Sequence, residues 1–197
     1  MSNQTTYIII LNYNGYLDTI ECLQSIYKSN YLNYKIILID NNSSDNSINF
    51  LEKWFTKMEI DFTYNINETD SKKDVLIVSL NKNSGYSAGN NVGIRLAVQQ
   101  KDCQYIWILN NDTLINEHTL TNIIKSANKS SKNTILGNKV LYANGKIQSI
   151  GGRLNRKFLF TRHNWMGKTN RNKTFNLSKL DYIPGCSIFL NAPLINL

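Results

Sequence analysis

Four apolar runs in this sequence end on side chains that carry oxygen. The first closes as "LNYN" at Asn12 and the second as "IDNNSSD" from Asp40. The third runs on through "LNKNSGYSAGN", which holds Asn83, Gly85 and Asn90, and the fourth stops at "LNND", Asn110 to Asp112. Asparagine and aspartate favour turns because they hydrogen-bond their own backbone, so one such ending needs no further explanation. Four endings of one kind point to a shared site. A carboxylate at the end of a buried strand needs donors, and for Asp40 the edge of a base or a ribose would supply them. Its structural alternative is to cap the following helix, for which Ser44 and Asp45 are better placed. Mg2+ and Mn2+ are hard cations that take oxygen ligands and keep part of their shell for water and phosphate, so a single carboxylate can anchor one, and Asp112 is the candidate ligand. Asn110 and Asn111 offer neutral amides to a sugar, a ribose or metal-bound water. Gly85, Gly89 and Gly93 recur every fourth residue, a spacing that fits neither the dinucleotide fingerprint nor the phosphate loop. On one helix face this spacing allows close packing on a sheet, the reading that suits Gly93, while Gly85 lies where backbone N–H groups could approach phosphates.

These residues sit where alternating elements would bring them together. Tyr7 to Asn12, Lys35 to Asp40, Asp74 to Leu80 and "YIWIL" are short β-branched or apolar runs that read as strands. Between them Leu17, Ile20, Leu23 and Ile26, then Ile48, Leu51, Phe55 and Met58, recur at helical spacing. A further helix follows Gly85, and another spans Glu117 to about Lys125. Such alternation predicts an α/β fold with a mostly parallel sheet and helices on both faces, where ligands collect beyond the carboxyl ends of the strands. Around Asp61 to Ser71 the pattern weakens to a short strand and loop. After Thr134, "TILGNKVLY" and "GKIQSIGG" read as two short strands joined at "ANG", a hairpin signal, and the basic stretch that follows has no clean period.

Bulk properties narrow the class. The chain has 197 residues, 42% of them hydrophobic, enough for one domain with a sizeable core. Cys22, Cys103 and Cys186 lie far apart and form neither a zinc spacing nor a disulfide framework. No apolar run reaches the ~18 residues of a membrane span, and "MSNQTT" lacks the regions of a signal peptide, so a cytoplasmic location is expected. Net charge is +8, and residues 151–180 carry eight basic residues and no acidic one, which leaves 14 basic against 14 acidic elsewhere. That segment reads either as a solvated loop or as an anion-seeking surface for lipid headgroups or a pyrophosphate-linked acceptor.

The order "IIILNYNG", "IILIDNNSSDNS", "NSGYSAGNNVGI", "YIWILNNDT" and "YIPGCSIFL" resembles the family 2 glycosyltransferases of the GT-A (Rossmann-like) fold, in particular their rhamnosyltransferase-like branch. Each motif is weak alone, but five in order across nearly the whole chain are specific. The resemblance implies inverting transfer of a sugar from a nucleoside diphosphate sugar to a glycan or lipid-linked acceptor in surface polysaccharide synthesis. It implies that Asn12 and Asp40 hold the nucleoside, that Asn83 to Asn90 approach the nucleotide and phosphates, and that Asn110 to Asp112 stand for the Asp-X-Asp motif, with Asp112 carrying the metal. Residues 1–130 would then form the nucleotide-sugar half and 131–197 an incomplete acceptor half of one domain. Asn110 replaces the first acid of that motif, which leaves one carboxylate. The family's Glu-Asp pair, which supplies the general base, is expected beyond Leu197. Only Asp181 is acidic after Glu117, and no spacing gives it that role.

Other readings make distinct demands. A nucleotidyltransferase would want a glycine-rich loop with basic residues near the N-terminus, which "LNYNGYLDT" lacks. A non-catalytic nucleotide-sugar-binding module needs the site but no base. Nucleic-acid binding through the basic segment would show steep salt dependence and is not expected to be the role of the chain. His118 and His163, each isolated, read as structural, as do most aromatic residues. Trp165 is the exception, placed to stack on an acceptor sugar or meet a membrane surface.

Overall fold

The computed structural model describes residues 5–65, 75–158, 160–163, 165–170 and 180–195. The four apolar runs form β1 (Thr5–Asn12), β2 (Tyr34–Asp40), β4 (Val75–Ser79) and β5 (Cys103–Asn110), and a two-residue β3 (Phe62–Thr63) lies in the weakly patterned region. Between them are α1 (Tyr16–Tyr27), α2 (Ser47–Lys57) and α3 (Tyr86–Val98), with α4 (Thr119–Lys129) after β5. Strands β3, β4, β2, β1 and β5 lie side by side in that order and parallel. Register places Asn12 beside Asp40, Asp40 beside Ser79 and Leu11 beside Asn110, so the carboxyl ends of four strands finish at one level.

Because side chains alternate across a strand, β1 feeds two cores. Ile8 and Ile10 face α1, α2 and α4, where they meet Leu23, Phe55 and Ile124. Tyr7 and Ile9 face the opposite side, which α3 covers with Ala97 and the partly buried Val92 and Leu96. The alternating, mostly parallel sheet with helices on both faces is therefore as the sequence predicts.

Beyond β5 the sheet turns mixed. The strand β11 (Ser187–Asn191) runs antiparallel to β5 and is followed at the edge by β6 (Ile135–Gly137), completing seven strands. Trp107, wholly buried, donates its indole N–H to Ser187 Oγ at 2.9 Å, and Asn138 Nδ2 donates to the same oxygen at 2.8 Å. A buried indole thus has its partner, and β11 is locked to β5. The run "TILGNKVLY" is one strand in the sequence reading and two in the structure. Its first part is β6 in the central sheet, and its second part is β7 (Val140–Leu141), which pairs with β8 (Ile147–Ser149) in the hairpin signalled by "ANG". The basic stretch without a period contains β9 (Gly152–Asn155) and β10 (Phe160–His163), an antiparallel ribbon separate from the main sheet. Among the described residues no helix is long and apolar enough to cross a membrane.

Candidate functional site

The carboxyl edge of the sheet is held by a chain of polar side chains. Asn12, with no solvent exposure, donates through Nδ2 to Asp40 Oδ1 at 2.8 Å and to Ser43 Oγ at 3.1 Å, and its Oδ1 accepts from Thr19 Oγ1 at 2.9 Å. Asp40, 4% exposed, also accepts from Ser43 N at 2.9 Å and from Ser43 Oγ at 2.6 Å. An ionised carboxylate has about four acceptor positions, and three are filled from within the protein. The donors that the sequence reading sought from a ligand are supplied by Asn12 and Ser43. Asn12 and Asp40 are thus joined to each other, and one lone pair on Asp40 Oδ2 is left for anything else.

The next loop is tied in by a residue the sequence reading did not single out. Asn41, buried, donates to Asn83 Oδ1 at 2.9 Å and accepts from Ser84 N at 3.3 Å, and Asn83 Oδ1 also accepts from Gly85 N at 2.9 Å. The ends of β2 and β4 thereby shape the turn into α3. The available signal was the asparagine directly after Asp40. Ser44 and Asp45 divide the entry to α2: Asp45 Oδ1 accepts from Ser47 N at 3.0 Å and from the Ser47 hydroxyl, while Ser44 N donates to Asn14 Oδ1.

Gly85 precedes α3 with φ +83°, a backbone state suited to glycine, and a Cβ there would meet nothing within 4 Å. No side chain caps the N-terminus of α3. Gly89 and Gly93 behave differently: a Cβ would lie 2.5 Å from Leu11 Cδ1 or 2.6 Å from Ile9 Cγ2, so both serve the close seating of α3 on β1. Asn90, buried, donates to Tyr86 O at 2.9 Å, and its Oδ1 has no partner.

The three residues of "NND" go three ways. Asn111 Nδ2 donates to Thr19 Oγ1 at 3.1 Å and Gly15 O at 3.4 Å, so it ties the end of β5 to the start of α1. A Cβ on Gly15 would come within 3.0 Å of that amide, so its absence gives Asn111 room. Asn110 is held through its backbone, donating to Cys186 O at 3.0 Å, and its buried Oδ1 has no partner. Asp112 alone is exposed. Its charge reaches both sides of the edge. After burial, it is the next influence that pushes the Cys22 thiol up to about 12. The Tyr86 hydroxyl is raised by burial, then by Cys186 and Asp112, and the Cys186 thiol by burial with a smaller push from Asp112. Tyr86 OH donates to Gly185 O at 2.7 Å, tying the start of α3 to the turn before β11.

Among the described residues no group of three or more His, Cys, Asp or Glu side chains could enclose a metal. One exposed carboxylate beside an uncapped helix N-terminus fits the alternative for a hard cation, in which phosphate oxygens and water complete the shell. Asp181, the one acid after Glu117, accepts Leu154 N–H at 2.9 Å through Oδ2 and so holds the β9 strand. His118 Nε2 lies 3.2 Å from Glu117 Oε1, and His163 packs edge-on against Tyr182, both in keeping with structural roles.

Comparison with known proteins places this geometry. A curated relative, glycosyltransferase GlyG of Streptococcus pneumoniae serotype 4, is 23% identical over 135 residues, covering 68% of this chain and 39% of its own. S. aureus TarS 1-349 in complex with UDP-GlcNAc superposes with a TM-score of 0.55 at 20% identity over 72% of this chain and 36% of that one. Mannosyltransferase PcManGT from Pyrobaculum calidifontis, in complex with GDP-Man and Mn2+, gives 0.54 at 18% identity over 70% of this chain and 35% of its own. At these identities the structural likeness establishes the fold, a GT-A arrangement, and the chain spans under two fifths of the length of each relative. The family signature of glycosyl transferase family 2 matches residues 7–197, and the chain belongs to that family.

Proposed function

We propose that the chain is the donor-binding part of an inverting glycosyltransferase that moves a hexosyl or rhamnosyl group from a UDP- or dTDP-linked sugar to a glycan or lipid-linked acceptor in surface polysaccharide synthesis. The observation that carries this reading is the common level of four strand ends, with Asn110, two residues before exposed Asp112, and Tyr86 at the start of α3 both hydrogen-bonded to the turn at Gly185 and Cys186. Residues 1–130 carry the nucleotide-sugar half and 131–197 part of the acceptor half.

In this reading Asn12, Asp40, Asn41, Asn83 and Asn111 give the pocket its shape, and the remaining acceptor position on Asp40 takes a donor from the nucleoside. Asn90 Oδ1 and Asn110 Oδ1, buried without partners, are the acceptors for hydroxyls of the ribose or sugar, since leaving them empty costs about 1–3 kcal/mol each. Asp112 would hold Mg2+ or Mn2+, which would offset the negative charge on the leaving diphosphate. The acceptor oxygen attacks the anomeric carbon as the bond to the diphosphate breaks, and a general base takes the acceptor's proton. The PcManGT complex with GDP-Man and Mn2+ and the UDP-GlcNAc-bound TarS support a nucleoside diphosphate sugar as the donor.

Titration calorimetry with UDP and dTDP, with and without Mn2+, tests the reading. Asp112→Ala should abolish the Mn2+-dependent gain and leave the metal-free affinity within about twofold. An Mn2+ gain unchanged in the variant would remove Asp112 from the role. The second reading is a non-catalytic nucleotide-sugar-binding module. Donor binding without donor hydrolysis or transfer would select it.

A further inference from the structure

The ribbon formed by β9 and β10 lies outside the donor site and has a composition of its own. Asn155 Oδ1 accepts from the backbone N–H groups of Lys157 and Phe158, each at 3.1 Å, which shapes the tip joining the two strands. That tip presents Arg156, Lys157 and Phe158 to solvent. Phe158 is 66% exposed and Phe160 is 52% exposed. The two rings stack, with centroids 6.5 Å apart and planes 22° from parallel, and Lys157 Nζ lies 5.4 Å from the Phe158 centroid. In the turn after β10, beyond the other end of the ribbon, Trp165 and Met166 are exposed as well. Exposed aromatic residues beside cations are costly on a surface that meets only water, and the stacked pair at the tip with its ammonium neighbour marks a contact.

We propose that the tip of the β9–β10 ribbon docks on the headgroup layer of an anionic lipid bilayer. Charge complementarity selects this partner. Residues 151–180 hold all of the chain's excess positive charge, and the described part of it at the tip stands next to the apolar side chains that would enter the interface. Aromatic rings favour the headgroup level, and juxtaposed cations are drawn to an anionic leaflet. Nucleic acid is the poorer fit. The phenylalanine rings are stacked on each other and approached by an ammonium rather than spread as platforms for bases. The inference is independent of the donor reading, since none of these residues belongs to the strand-end site.

Co-sedimentation of the 197-residue chain with vesicles of phosphatidylcholine alone and of phosphatidylcholine with phosphatidylglycerol tests it. Binding should require the anionic lipid and weaken with salt. Arg156→Gln with Lys157→Gln should weaken it about thirtyfold, since each cation near such a surface is worth roughly fivefold. Phe158→Ser with Phe160→Ser should weaken it at constant charge. Both double variants should keep the wild-type circular dichroism and melting temperature, as the tip lies outside both cores. Equal binding to the two vesicle types, no binding, or variants that bind like wild type would overturn the proposal. Tighter capture of polyuridylate than of anionic vesicles would reassign the ribbon to nucleic acid. A dimer that the phenylalanine variant splits would reassign it to a contact between copies of the chain.

Discussion

Replacing Gly93 by alanine tests how the donor edge is built. In the middle of α3 the change gains about 1 kcal/mol of helix propensity. The new Cβ would lie 2.6 Å from Ile9 Cγ2, 3.3 Å from Cγ1 and 3.4 Å from Cδ1. Ordinary carbon contacts sit near ~3.5–4.0 Å, so the helix or the strand must yield by about 1 Å. Ile9 cannot give way, because it is fully buried and stiff at χ1. Overpacking of this kind costs about 1–3 kcal/mol, and with three atoms of one rigid side chain struck we take ~2–3, for a net loss of about 1–2 kcal/mol. Gly89→Ala is the internal control. Its Cβ meets Leu11 Cδ1 at 2.5 Å, but that atom ends a flexible, partly exposed side chain that can rotate away. Propensity and residual crowding should then cancel to within about 0.5 kcal/mol. Urea unfolding followed by circular dichroism reads both. With a slope of ~2 kcal/mol/M, Gly93→Ala should lower the midpoint by about 0.5–1 M while Gly89→Ala leaves it nearly unmoved. A Gly93→Ala protein as stable as wild type would refute the claim that α3 is seated on β1 by this contact.

Asn12→Ala should destabilise by about 2–3 kcal/mol, because it removes a charge-assisted donor from buried Asp40 and an acceptor from Thr19, and thermal or urea unfolding will show it. The same variant should weaken nucleoside diphosphate binding in calorimetry, since Asp40 loses the partner that holds it in place. Burial, then the charge of Asp112, raises the Cys22 thiol from 9.0 to about 12, and burial, then Asp102, raises Cys103 to about 12. A thiol raised in the folded state keeps its proton where the unfolded chain has lost it, so this stability is full below pH ~9 and is lost as pH rises toward ~12. Melting temperature should therefore fall less steeply above pH ~9 in Cys22→Ala than in wild type, and parallel slopes would contradict that assignment.

The parallel half of the fold was legible because β1, β2, β4 and β5 are short apolar runs buried on both faces over most of their length, and each helix keeps one apolar stripe. The antiparallel half was not. "SIFLN" is too short to announce a direction, and its place between β5 and β6 is fixed by non-local contacts such as Trp107 with Ser187. "TILGNKVLY" gives no sign that it divides between two sheets. At the site, the positions were legible and the partners were not. Strand ends mark Asn12, Asp40 and Asp112, but that Asn12 answers Asp40, that Asn41 reaches Asn83, or that Asn111 turns back to Thr19 depends on a register that residue types alone do not specify. Gly89 shows the same limit. Its spacing announced a small-residue face, and only the approach of Leu11 shows that Gly89 also lies on the side of α3 toward β1, against a side chain freer to move than Ile9.

The most direct measurement is a crystal structure of the chain soaked with UDP or dTDP and Mn2+. The diphosphate is expected at the carboxyl edge of β1, β2, β4 and β5, with Mn2+ held by Asp112 and the start of α3 facing the phosphates. A nucleotide bound at the amino-terminal edge or on the β9–β10 ribbon, or an Mn2+ ion that leaves Asp112 untouched, would contradict it.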